Sequence, residues 1–225
     1  MPKTIDLQRL LKLLIAAYGR PRPFRRTDAV DEIVRTILSQ NTNDRNSLAA
    51  FAVLKKAAGP WQKLMNMPAG KIARLIRHAG LSNIKAVRIK GVVRDIASRE
   101  GKISLRRLGS MCVEEGFEYL TSLKGIGPKT ASCVLLFSFA KPVMPVDTHI
   151  FRVAKRLGLI PEKANIEEAH RILTGICGKN TRLIYDLHLS IIEHGRRTCR
   201  AQNPRCGSCV LYGCCRFKDK KNYIS

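Results

Sequence analysis

Apolar positions recur at helical spacing along almost the whole chain, and no stretch alternates as a strand would. From Ile5 to Tyr18 the residues Leu7, Leu10, Leu11 and Leu14 share one face, and the run stops at Gly19. Asp28 is placed to cap a helix carrying Val30, Ile33, Val34, Ile37 and Leu38. Gln40-Asn41-Thr42-Asn43-Asp44 breaks that helix, and Asn43 or Asp44 starts the next, which runs to about Ala58. Pro68 to His78 and Asn83 to Ser98 read as amphipathic helices separated by Ala79-Gly80-Leu81-Ser82. Glu114 to Ser122 precedes a glycine-rich turn. Lys129 to Ala140 is apolar nearly all round, the pattern of a buried central helix. Helices at 148–157, 165–177 and 183–194 follow, and then a cysteine-rich loop. Two proline-stiffened segments, Arg20–Phe24 and Lys141–Val146, cannot be helical. The pattern predicts an all-α protein of two helical lobes. Residues 24–140 form one; residues 1–23 join 141–225 in the other, with the N-terminal helix packed on the C-terminal ones.

Charge changes the picture. The 225 residues hold 41 Lys and Arg against 17 Asp and Glu, a formal charge of +24. A fold does not need that excess, which weakens the compact state by self-repulsion; a polyanionic partner accounts for it. Nucleic acid is the first candidate and an anionic membrane surface the second. No apolar run approaches the length that crosses a bilayer, and no secretory leader is evident. The expectation is a reducing, cytoplasmic setting, associated with the nucleoid if the source is prokaryotic. Cys112, Cys133, Cys177 and one of the adjacent Cys214 and Cys215 are expected to act as small hydrophobes.

The remaining cysteines carry chemistry. Cys199, Cys206 and Cys209, with Cys214 or Cys215, form a compact four-thiol run. Zinc sites usually show two short C-x2-C hooks, whereas here only Cys206 and Cys209 form one. The wider outer gaps suit the larger edges of a four-iron, four-sulfur cube. Disulfides and zinc are the competing readings, and an intracellular chain disfavours the first.

Leu123-Lys124-Gly125-Ile126-Gly127-Pro128-Lys129-Thr130-Ala131 joins two helices through paired glycines. Glycine permits positive φ and removes the Cβ that would obstruct a phosphate. Pro128 suits the first position of the following helix, whose exposed N–H groups form an anion site. Lys129 lies in that first turn. An ordinary lysine has a pKa of about 10.4, and burial beside a helix N-terminus disfavours its ammonium, as a nucleophile requires. Asp147, in Pro145-Val146-Asp147-Thr148-His149, follows 18 residues later and also reads as a helix N-cap.

Taken together, the Leu123–Ala131 turn, the Val146-Asp147-Thr148-His149-Ile150-Phe151-Arg152-Val153 segment and the C-x6-C-x2-C-x5-C loop resemble the endonuclease III branch of the helix–hairpin–helix DNA glycosylases. The likeness extends from about Asp28 to Cys215. It implies a [4Fe-4S] cluster held by Cys199, Cys206, Cys209 and Cys215, with Cys214 a bystander. It also implies base-excision repair, with DNA and the active site in a cleft between the lobes. Lys129 would form a Schiff base at C1′ of a nucleotide flipped from the stack, and Asp147 would assist at the sugar. The strand would then be cut by β-elimination.

By the same resemblance, Gly125, Ile126, Gly127 and Thr130 contact the DNA backbone. Gln40 or Asn41 fills the gap left by the flipped base; the family usually carries Gln where this chain has Asn41. Leu81 is a second wedge, though it also reads as a hydrophobic staple at a helix end. The expected partner is double-stranded DNA with a damaged base or abasic site, bound by a monomer, with no membrane. The expected substrates are oxidised pyrimidines. A monofunctional thymine or uracil mismatch glycosylase and a non-catalytic DNA-binding module are the alternatives; Lys129 at the nucleophile position argues against the first, and Lys129 with Asp147 against the second. Trp61, His188 and His194 are read as structural.

Overall fold

The computed structural model describes residues 6–224; Ile5, the expected start of the first helix, lies outside them, as do the outermost residues of the expected second lobe. Among the described residues the chain forms α-helices and short 3-10 turns, with no strand. None of these helices is long and apolar enough to cross a membrane. The chain divides into two compact units: one is Arg25–Lys141, and the other runs to Phe24 and resumes at Pro142.

The divided unit begins with α1 (Leu7–Tyr18), capped by Asp6. In the continuous unit, Asp28 Oδ1 accepts hydrogen bonds from Val30 N and Asp31 N, both at 3.0 Å, and starts α2 (Ala29–Ser39). Asn43 caps α3 (Asp44–Ala58). A short α4 (Gln62–Asn66), absent from the sequence reading, follows the buried Trp61, whose Nε1 donates to Asp31 Oδ1 at 2.8 Å.

The helix expected over Pro68–His78 is instead α5 (Ala69–Leu75) and a 3-10 turn at Arg77–Ala79. The buried Ile76 leaves helical geometry (φ −102°, ψ 16°) and turns the Ala79 carbonyl inward, where Lys85 receives it. Next come α6 (Ser82–Glu100), α7 (Val113–Ser122) and α8 (Pro128–Phe139). Cys112 corrects an expectation, for it is exposed. Its Sγ accepts from Glu115 N while the Glu115 carboxylate accepts from Cys112 N, a capping box rather than a hydrophobic contact.

The core of this unit is α8 packed on α2. Ile33, Val34, Ile37 and Leu38 are fully buried, as are Ala131, Val134 and Leu135. Each large side chain of this kind contributes about 1.5–3 kcal/mol by leaving water. Thr27 N donates to Phe137 O at 3.0 Å, tying the start of α2 to the end of α8. The two helices therefore run antiparallel, and the loop that ends α2 lies at the end where α8 begins.

The second unit continues with α9 (Thr148–Leu157), α10 (Ile166–Cys177) and α11 (Thr181–Arg197). Helices α1 and α9 both pack on α11. Tyr18 Oη at the end of α1 lies 2.8 Å from both His194 Nδ1 and Thr198 Oγ1. Cys133 and Cys177 are buried, as small hydrophobes would be.

Candidate nucleic-acid interface and cysteine centre

The glycine turn between α7 and α8 is built by local chemistry. Ile126 N donates to Leu123 O at 3.0 Å, Gly125 takes φ +93°, and Pro128 occupies the first turn of α8. A Cβ on Gly125 would stand 2.9 Å from Arg88 Cγ, whereas one on Gly127 would meet nothing within 4 Å. The first glycine is thus required by the fold, and the second leaves open space at the helix start. No side chain caps α8, and a helix leaves its first-turn N–H groups without acceptors inside the helix. Ile126 and Thr130 are both buried.

Lys129 is half-buried in this first turn. Its ammonium lies near Glu32 of α2, a residue the sequence reading passed over. Burial pushes the Glu32 carboxyl above its usual pKa, and the hydrogen bond from Thr27 Oγ1 and the charge of Lys129 both oppose that shift. An acidic residue in a first turn reads as a simple partner for the helix dipole, which is why nothing in the sequence singled out Glu32.

The other predicted contact residues of this unit sit on two adjoining loops. Gln40 and Asn41 follow α2; Leu81 precedes α6. Gln40 Oε1 accepts from Arg88 Nη1 at 2.6 Å, so its amide is engaged within the protein. Asn41 is exposed and left-handed (φ +52°), as is Leu81 (φ +47°, 54% exposed). Leu81 therefore does not staple a helix end, since a staple would be covered.

Asp147 and the cysteines belong to the other unit. Asp147 is the N-cap of α9: its Oδ1 accepts from Ile150 N at 2.8 Å. Burial lowers the pKa of nearby His149, with Asp147 pulling the other way, and His149 Nδ1 lies 3.2 Å from Arg152 Nη2.

Cys199, Cys206, Cys209 and Cys215 line one small cavity together with His194, Arg156 and Phe217. Two arginines of α9 fasten the loop. Arg152 donates to Cys199 O and Gly195 O, both at 2.9 Å; Arg156 donates to Arg200 O at 2.7 Å and to Cys199 Sγ at 3.3 Å. The chain beyond Cys215 adds Lys220, whose Nζ donates to Cys215 O at 2.6 Å and Tyr212 O at 2.9 Å. Burial drives the Cys209 thiol up to about 11, and the charges of Cys199, Cys215 and Cys206 push in the same direction. His194 Nε2 is 3.9 Å from Cys209 Sγ, and burial depresses its pKa to about 4, so it stays neutral. Among the described residues no three His, Cys, Asp or Glu side chains gather tightly enough to hold a single metal ion. Cys214 stands apart, donating to Leu211 O at 3.3 Å.

The sequence pattern of the HhH-GPD superfamily of base excision DNA repair proteins matches residues 34–179. The chain belongs to this superfamily. It is a base excision DNA repair enzyme of the endonuclease III type. It is 35% identical to endonuclease III of Sulfolobus acidocaldarius over 190 residues, which cover 82% of this chain and 80% of that one. It is 36% identical over 167 residues to an Arabidopsis thaliana protein named as a DNA glycosylase, covering 74% of this chain but 56% of the plant protein. In fold, the chain matches a solved endonuclease III in a non-covalent DNA complex with a TM-score of 0.80, over 98% of this chain and 99% of that one, at 23% identity.

The hairpin geometry of this superfamily member separates its two glycines. Gly125→Ala forces a left-handed alanine against Arg88, so urea unfolding should show a loss of about 1–2 kcal/mol. Gly127→Ala should cost less, under about 1 kcal/mol. Equal losses at the two positions would contradict the reading of the turn.

Proposed function

We propose that the chain is a bifunctional DNA glycosylase and abasic-site lyase that removes oxidised pyrimidines from duplex DNA. The observation that carries this reading is the position of Lys129 in the first turn of α8, directly after the glycine turn. Uncapped N–H groups at a helix start attract a phosphate, and the open space at Gly127 lets a backbone approach closely. Such contacts grip DNA without reading its sequence. With the strand held there through Gly125, Ile126, Gly127 and Thr130, Lys129 Nζ meets the sugar of a nucleotide flipped from the stack.

In this mechanism the neutral Lys129 amine attacks C1′ and the damaged base departs with its bonding electrons and takes up a proton. Asp147 stabilises the positive charge that develops at the sugar. The capping bond uses Oδ1, so Oδ2 is the oxygen assigned to this task. The C1′–O4′ bond of that adduct then breaks as O4′ takes up a proton; the resulting iminium loses a C2′ proton, and the 3′ phosphate leaves by β-elimination. Glu32, the buried carboxyl near Lys129, is suited to accept a proton from the lysine because burial favours its protonated form.

Asn41 is assigned to the gap left by the flipped base, in preference to Gln40. Arg88 holds the Gln40 amide, whereas Asn41 stands exposed at the loop tip. Leu81 enters from the neighbouring turn. The partner is damaged double-stranded DNA bound by a monomer, and the surplus of 24 positive charges suits it.

The cysteine centre fits a [4Fe-4S] cluster held by Cys199, Cys206, Cys209 and Cys215. The four thiols line one cavity, and Arg156 donates to the Cys199 sulfur. When bound, such a cluster supplies structural order. The Arg152 and Arg156 bonds tie the cluster loop to the helix that Asp147 starts.

Two measurements test these assignments. Borohydride should trap the wild-type protein on a duplex bearing one abasic site, and Lys129→Ala should reduce the adduct by about a thousandfold or more. A mutant that still traps would overturn the role of Lys129. Iron analysis of purified protein should find the metal lost in Cys199→Ala and retained in Cys214→Ala; the reverse pattern would overturn the ligand set.

A further inference from the structure

Lys85, in the first turn of α6, is 2% exposed. Its ammonium has three protons, and three oxygens receive them: Leu38 O at 2.8 Å, Thr42 Oγ1 at 2.8 Å and Ala79 O at 2.7 Å. Among the described residues no carboxylate pairs with it. Burial alone pushes its pKa down. A cation buried without a counter-charge is costly, and an apolar side chain would fill the same space more cheaply. The cost needs a reason beyond packing.

The three acceptors supply one, because they come from different segments. Leu38 O is at the end of α2, Thr42 lies in the loop that carries Asn41, and Ala79 O belongs to the turn that carries Leu81. Thr42 Oγ1 is shared: it accepts from Lys85, and its single proton has both Ala79 O and Gln40 O within reach. A Cβ on Gly80 would come within 3.9 Å of the same hydroxyl, so the two loops touch there. The tips beyond this knot, Asn41 and Leu81, are both left-handed without being glycine. Such residues each cost about 1 kcal/mol or more and persist only where their surroundings hold them.

We propose that Lys85 is a positioning residue for base flipping: its ammonium locks the Asn41 loop and the Leu81 turn to each other, so that the two tips enter the duplex as one preformed wedge. The inference rests on the assignment of Asn41 and Leu81 as wedge residues. Lys85 touches neither DNA nor the reacting atoms. It acts by holding the wedge in the geometry that unstacking demands, so that no binding energy is spent on ordering the loops.

The test is stopped-flow fluorescence of 2-aminopurine placed beside an oxidised pyrimidine in a duplex, compared with borohydride trapping on a preformed abasic site, which has no base to unstack. Lys85→Met keeps the length of the side chain and removes all three donors. It should slow the flipping signal by about tenfold or more, while affinity for undamaged duplex and abasic-site trapping change by less than about threefold. Thr42→Val removes the shared hydroxyl with little change in volume and should slow flipping in the same selective way, which keeps the test open if Lys85→Met does not fold. Flipping at the wild-type rate in a folded Lys85→Met protein would overturn the proposal. So would an equal loss in flipping, trapping and duplex affinity, the mark of general loosening. Leu81→Ala separates the proposal from its premise: if Leu81→Ala flips normally, the wedge assignment fails. If Leu81→Ala is slow and Lys85→Met is not, the wedge stands and the lysine's role falls.

Discussion

The packing of α8 on α2 is the constraint on which the DNA-facing part of the molecule depends. Both helices bury nearly all of their apolar residues, and the Thr27–Phe137 bond fixes their antiparallel sense. One end of the pair then carries three things at once: the glycine turn, Lys129, and the loop from Gln40 to Asn43. Arg88 of α6 completes the arrangement, for its guanidinium holds Gln40 while its methylene stem lies against Gly125. A shift in the α2–α8 contact would therefore move the phosphate grip, the nucleophile and the gap-filling loop together. That coupling suits a site meant to act on a flexible polymer, since it is built on the helix pair that forms the core of its unit.

The other unit solves a different problem. Its cysteine loop has little apolar surface and few helical residues, so it cannot hold its own shape by burial. Arginine takes over that task. Arg152 and Arg156 project from α9 and satisfy carbonyls at Gly195, Cys199 and Arg200, a use that suits the fixed fork of the guanidinium. The same helix begins at Asp147, whose capping bond orients the carboxylate. Many of the chain's surplus cations face solvent, but these two are structural, and so are Lys85 and Lys220. A net charge of +24 is thus not simply a coat for DNA.

Much of this was legible from the chain because it is local. Apolar spacing located the main helices, and Asp28, Asn43 and Asp147 announced helix starts through side chains that bond within three residues. The glycine turn and the cysteine spacing were equally local. What escaped the sequence depends on partners far along the chain. Lys85 looks like any surface lysine until Leu38, Thr42 and Ala79 surround it, and Glu32 looks like a helix-start acid until α8 covers it. The break at Ile76 has the same origin, since tertiary demands outweighed a pattern that favoured a longer helix; the cap at Cys112 is instead local, a thiol taking the place usually held by a hydroxyl or carboxylate.

The central claim is that one protein both releases the base and cuts the strand. The most direct measurement is a single-turnover time course on a duplex with one thymine glycol, following free base and strand scission in the same samples. With Lys129 as the nucleophile the two should appear together, the cleaved strand ending in the unsaturated aldehyde left by β-elimination. Free base accumulating over an intact abasic strand would contradict it, and would mark the protein as a glycosylase without lyase chemistry.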